Sequence, residues 1–246
     1  MKCPGQDRGY WTGDRVFDLP CPKCGFAVEF FRDEGARRCA HCGYAFSNAR
    51  IALDCASWCD QAEACLGLSR SRVKNLAEAD TALSGRLIKA LEEELSQDSA
   101  RFVRALLVFQ HAKELVPAVG GNPRVVLAAA LVLEIGYPPA DSPAVRGESG
   151  VLQPTDGCVS PFQQVQQVLS KANLEADTIQ SVYALLDRFR EGHDDTPELA
   201  VLHDACRLAT LASEGIAGDP DRLASAIAGE FRTEAGAARA KALFQR

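Results

Sequence analysis

Four cysteines near the amino terminus carry the strongest chemical signal in this chain. Cys21 and Cys24 (CPKCG) and Cys39 and Cys42 (CAHCG) are spaced C-x2-C-x14-C-x2-C, the pattern of a tetrathiolate zinc ribbon. Each pair must bring two sulfurs to one ion at about 2.3 Å, and the glycine after the second ligand lets the turn tighten. A ribbon this small has almost no core of its own, so metal must supply its stability. The site reads as structural and closed. His41, inside the second knuckle, reads as a surface bystander.

A second group is less expected. Cys55, Cys59 and Cys65 lie in the Ala-rich stretch LDCASWCDQAEACLG. Cys55 and Cys59 share one helical face, and Cys65 follows just before Gly67, a helix stop. With Cys3, the remaining cysteine nearby in sequence, they make a second four-thiolate set, suited to zinc or to a [4Fe-4S] cluster. The bland alternative is buried small hydrophobes in an Ala-rich helix. Cys158 reads as a loop thiol and Cys206 as core.

Composition frames these clusters. The chain has 246 residues and ten cysteines, eight of them in the first 65. Paired CxxC knuckles in a reducing compartment bind metal more often than they form disulfides. The net charge is −6, and the first seventy residues carry nine basic against nine acidic side chains. No basic surface is available for nucleic acid. The start, MKCPGQDRGYW, lacks an apolar leader core, and no stretch reaches eighteen apolar residues without a charge. The expectation is a cytoplasmic protein with no membrane and no nucleic-acid partner. It has two parts, a cysteine-rich module over residues 1–70 and an all-α domain over 71–246.

The elements that position these residues follow from periodicity. FAVEFFRDE alternates like a strand, with Phe26, Val28 and Phe30 to one side. Beyond residue 50 no strand signal or repeat is seen. Helices are expected over 76–95 and over 99–116, the second ended by Pro117. Asn122-Pro123 caps and opens VVLAAALVLEIG, apolar all round and so a central buried helix. Residues 136–160 hold four prolines and read as a long loop. Ser160-Pro161 opens a glutamine-rich helix with Phe162, Val165 and Leu169 on one side. Ile179, Val182, Leu186 and Phe189 mark the next helix, and Leu199, Leu202, Cys206 and Ala209 another. Asp219-Pro220 starts the last segment, with Gly229 and Gly236 as breaks. In EGHDDTP, Asp194, Asp195 or Thr196 serves as a cap.

Two stretches, RFVRALLVFQHAKELVPAVGGNPRVVLAAALVLEIG and ELAVLHDACRLATLA, resemble the metal-binding helices of HD-domain phosphohydrolases. The closing FRTEAGAARAKAL is similar to the tail of small bacterial members. The resemblance covers residues 99–240, and the cysteine-rich front resembles an extension carried by a group of bacterial HD-domain proteins. That family holds a divalent ion with a first His, an adjacent His-Asp pair and a distant Asp, and uses it to activate water on phosphate esters. His111 matches the first position and Asp204 the last. The pair is missing, because Leu133-Glu134 stands in its place. With only four histidines in the chain, a histidine-rich binuclear site cannot be assembled. His203-Asp204 spells the motif on the wrong helix, and neighbouring helical residues face different ways.

Three weak candidates therefore remain for a helical-domain site, His111, Glu134 and Asp204, able to hold one metal weakly. Each has a bland reading beside it. Glu134 ends an apolar run and either reaches solvent or pairs with Arg101 or Arg104, and His111 is a buried histidine with a local hydrogen bond. The resemblance implies a degenerate HD-like domain acting as a non-catalytic regulator or adaptor, with a protein partner or a small phosphorylated ligand. The alternatives are a metal-dependent phosphohydrolase using those three residues, or an iron–sulfur redox-responsive regulator built on Cys3, Cys55, Cys59 and Cys65.

Overall fold

A computed structural model describes residues 16–31, 34–48, 81–136, 161–216 and 219–245. The boundary expected near residue 70 and the second cysteine group lie outside these residues. So do the loop expected over 137–160 and Cys158.

The front part is two β-hairpins, each closed by a cysteine knuckle. β1 (Val16–Pro20) pairs antiparallel with β2 (Ala27–Phe31), from Val16 opposite Phe31 to Pro20 opposite Ala27. β3 (Ala36–Arg38) pairs likewise with β4 (Ala45–Ser47). The strand expected between the knuckles is β2, and β1 and β4, on the outer sides of the knuckles, complete the hairpins. Alternation puts Leu19, Val28, Phe30 and Phe46 inside. Phe30 meets Phe46 edge-on at 5.2 Å, which joins the hairpins. Phe26 does not share the buried side. Its carbonyl accepts the Cys21 amide at 2.9 Å, so the strand register begins one residue later. Its ring lies outside, stacked on His41 at 5.6 Å, and that leaves His41 at the surface as expected.

The rest is helical, with eight helices among the described residues. These are α1 (Thr81–Glu94), α2 (Ser99–Val119), α3 (Pro123–Gly136), α4 (Pro161–Lys171), α5 (Ala176–Arg190), α6 (Pro197–Ser213), α7 (Pro220–Gly229) and α8 (Glu234–Phe244). The central helix is α3, buried at every position from Val125 to Ile135. It packs against α1, α2, α4, α5 and α6, which is why its apolar residues occupy all sides. α2 also lies along α6, and β1 rests against α2.

Local chemistry sets most helix starts. Thr196 caps α6, its hydroxyl accepting the Leu199 amide, and Asp219 caps α7 through the Arg222 amide. Asn122 accepts the Arg124 amide at the start of α3. Two boundaries differ from expectation. α2 runs through Pro117 to Val119 and stops at Gly120 and Gly121, both at positive φ. A proline near a helix end forfeits a single backbone bond, and α2 tolerates it. The last segment divides after Gly229, where a break was expected, but Gly236 sits inside α8 rather than at a break. Phe162 is exposed and stacks on Tyr183 at 4.6 Å, while Val165 and Leu169 face inward.

Candidate metal centre

The two knuckles repeat one hydrogen-bond scheme. The Gly25 amide donates to the Cys21 carbonyl at 2.8 Å, and the Gly43 amide to the Cys39 carbonyl at 2.9 Å. The Cys21 and Cys39 amides donate in turn to the carbonyls of Phe26 and Tyr44. Both glycines take positive φ, 69° and 72°, which a side chain at either position would strain. Each turn thereby folds its two sulfurs to one side, and the joined hairpins bring the pairs face to face.

Four sulfurs result, all within 4.8 Å of one another. Cys21 Sγ lies 3.6 Å from Cys42 Sγ, and Cys24 Sγ 3.7 Å from Cys39 Sγ. Four sulfurs bound tetrahedrally at about 2.3 Å from a single ion are about 3.8 Å apart, so the donor set fits one metal ion. Cys21 and Cys39 are buried and Cys24 and Cys42 half-buried, leaving no open coordination position of the kind a catalytic zinc keeps. Burial pushes the Cys21 thiol well above the usual range and Cys24 up to about 11. For Cys39, burial is outweighed by the Cys42 and His41 amides, and its pKa is lowered. Metal binding must therefore displace protons from buried thiols, and the centre is weakened as pH falls.

Among the described residues no other three His, Cys, Asp or Glu side chains come close enough together to hold a metal. His111, Glu134 and Asp204 are all buried but are not gathered into a ligand set. Asp204, fully buried on α6, clasps the start of α8. Its Oδ1 accepts the Arg232 amide at 2.7 Å, and its Oδ2 accepts the Thr233 amide at 3.0 Å and the Thr233 hydroxyl at 2.5 Å. Thr233 itself caps α8 by accepting the Gly236 amide. A Cβ on Gly236 would lie 2.2 Å from Asp204 Oδ2 and 2.6 Å from its Cγ. With three donors holding the carboxylate, Asp204 cannot step aside. Gly236→Ala is expected to cost about 1–3 kcal/mol by overpacking, even though alanine favours helix by about 1 kcal/mol. Urea unfolding of the variant checks this, and unchanged stability would show that the clasp yields.

Glu134 takes one of its expected alternatives. Its Oε1 accepts from Arg104 Nε at 2.9 Å, and Arg104 also donates to the Thr210 hydroxyl at 3.1 Å. Arg101 donates to the carbonyls of Glu134 and Ile135, a cation at the negative end of α3. Burial raises the Glu134 pKa, with Arg104 and then Arg101 opposing. Burial, with Glu134 adding, pushes the nearby half-buried Cys206 up to about 12.

His111 is fully buried, and the local hydrogen bond expected for it is absent. Among the described residues neither ring nitrogen has a partner, nor has either polar atom of the neighbouring Gln110 side chain, nor Arg239 Nε on α8. A buried polar group left unpaired costs about 1–3 kcal/mol. Burial, and then the Arg239 charge, holds His111 down to about 3. Between pH 6.5 and about 3 the unfolded chain takes up a proton here that the folded protein refuses. Stability should fall through that window by about 1.4 kcal/mol per pH unit from this group, with no slope from it above pH 6.5. His111→Leu should remove that part of the slope when parent and variant are unfolded in urea at pH 4 and pH 6. Equal slopes would place the burial penalty elsewhere.

His203 faces away from Asp204's clasp, stacked on Phe189 with Nε2 3.1 Å from the His193 carbonyl. No helix among the described residues is long and apolar enough to cross a membrane. Sequence reasoning did not single out Arg232, Thr233 or Arg239, and it took Gly236 for a helix break. The pattern FRTEAG does hold a cap signal in Thr233. No family model, curated protein or solved structure matches this chain.

Proposed function

We propose that this is a metal-stabilised binding protein, with one zinc in the ribbon and an HD-like helical domain that acts as a regulator or adaptor rather than a hydrolase. The observation that carries this reading is the commitment of Asp204. Both its oxygens are spent on holding α8 to α6, at the position where the resemblance would have a metal ligand. Glu134 is engaged with Arg104, and His111 is not gathered into a ligand set with either carboxylate, which supports the same view. Zinc is favoured in the ribbon because four closed thiolates give a structural ion its preferred tetrahedral shell.

Protein purified without oxygen is analysed for zinc and iron, then assayed with Mn2+ or Mg2+ against phosphodiesters and nucleotides. The reading expects zinc at the ribbon and no turnover. Metal-dependent hydrolysis that disappears in a folded Asp204→Asn variant would overturn the non-catalytic assignment. Iron in place of ribbon zinc would overturn the metal assignment. Cys3, Cys55, Cys59 and Cys65 enter through the totals, since a second zinc or several irons per chain would report on that group.

A further inference from the structure

α2 and α8 pack against each other, and each carries buried groups with unmet hydrogen bonds. On α2, both ring nitrogens of His111 are buried without a partner among the described residues, as are both polar atoms of Gln110. On α8, Arg239 Nε is buried without an acceptor, and Arg239 forms no ion pair among the described residues. Arg239 lies near enough to His111 for its charge to act on the imidazole. The carboxylate of Asp204 accepts from the Arg232 amide and from the Thr233 amide and hydroxyl, and forms no ion pair with Arg239.

The chemistry of these groups narrows what can complete them. A guanidinium only donates, and a neutral imidazole donates from one nitrogen. Water can meet the hydrogen bonds but cannot offset a partly desolvated positive charge. An anion with several acceptor oxygens does both, and guanidinium is suited to such groups. We propose that Arg239 and His111 form a binding site for a small oxyanion of the phosphate class, in the seam between α2 and α8. Arg239 is half-exposed, which gives the ion a route from solvent, and His111 supplies a neutral donor deeper in the seam. The proposal deepens the reading of the helical part as a ligand-binding domain and does not depend on the ribbon's metal.

The test uses the full chain, with zinc measured on the same sample so that failure of the ribbon assignment is seen separately. Inorganic phosphate is titrated against chloride at matched ionic strength, with melting temperature and calorimetric binding as readouts. A nucleoside monophosphate forms a second arm, and its tighter binding would assign the oxyanion to a phosphate ester rather than to free phosphate. With only four histidines in the chain, the His111 ring signals can be followed by nitrogen-15 NMR. Saturable stabilisation with a shift at the His111 ring is expected. Arg239→Gln should weaken binding about tenfold or more, the effect of one charge-assisted hydrogen bond. Arg239→Lys, which keeps the charge and loses the fork, should fall between. No response to either ligand beyond the chloride control, or an equal response in Arg239→Gln, would overturn the proposal. So would saturable binding that leaves the His111 ring unmoved.

Discussion

Replacing Cys21 by serine is expected to lower the metal content by one ion per chain and to unfold the ribbon while the helical part stays folded. Cys21 is fully buried, and its sulfur lies 3.6 Å from that of Cys42. A serine hydroxyl is shorter, harder and protonated at neutral pH, so it cannot replace a buried thiolate toward zinc. The hairpins have little else to rely on. Their inward apolar side chains are mainly Leu19, Val28, Phe30 and Phe46, and β3 and β4 are three residues each. Structural zinc contributes about 10–16 kcal/mol to folding in ribbons and fingers of this size, more than such a core can replace. Amide exchange over residues 16–48 should lose its protection, and far-UV circular dichroism should change little. A variant that keeps both its metal and its exchange protection would refute the four-thiolate centre. His41→Ala is the control, because His41 lies outside against Phe26 and its loss should leave the metal in place.

Arg104→Ala is expected to destabilise the helical part by about 3 kcal/mol. Glu134 is only 3% exposed at its side chain, and Arg104 is its ion-pair partner at 2.9 Å. Removing one member of a buried pair strands the other, which typically costs about 3–5 kcal/mol. The lower end applies because the Arg104 side chain keeps 27% exposure. The pH dependence has a definite sign. Without Arg104 the raised Glu134 pKa rises further, and a native-state pKa above the unfolded value adds stability as pH falls. The deficit of the variant against its parent should therefore shrink as pH is lowered through that raised pKa. The double variant Arg104→Leu/Glu134→Leu should recover most of the lost stability, since apolar residues of similar volume often replace a buried pair without cost. Equal stability of parent and Arg104→Ala at neutral pH would mean that Glu134 is already neutral there.

Both predictions depend on residues that the sequence exposes to different degrees. The ribbon ligands were legible because a knuckle is a local device. Two cysteines, two residues between them and a glycine after them carry their own geometry, and the Gly25 and Gly43 conformations follow it. The strands β1, β3 and β4 were not legible, since such short segments hold too little alternation to register. The exposed placement of Phe26 was hidden for a related reason. Strand periodicity put it with Val28 and Phe30, but the knuckle needs its carbonyl and starts the strand after it.

The sequence alone determined the four-cysteine centre, the helical class, the start of α7 at Asp219-Pro220 and the central burial of α3. Each depends on neighbouring residues or on a periodic pattern within one element. Only the tertiary structure decided what the polar residues of the helical part do. Arg104 meets Glu134 from 30 positions away, and Asp204 meets Arg232 and Thr233 from 28 and 29. No local pattern encodes which of several arginines a buried carboxylate will find, or that a helix start will close over an aspartate. Those choices are made when helices pack and desolvate the charges between them.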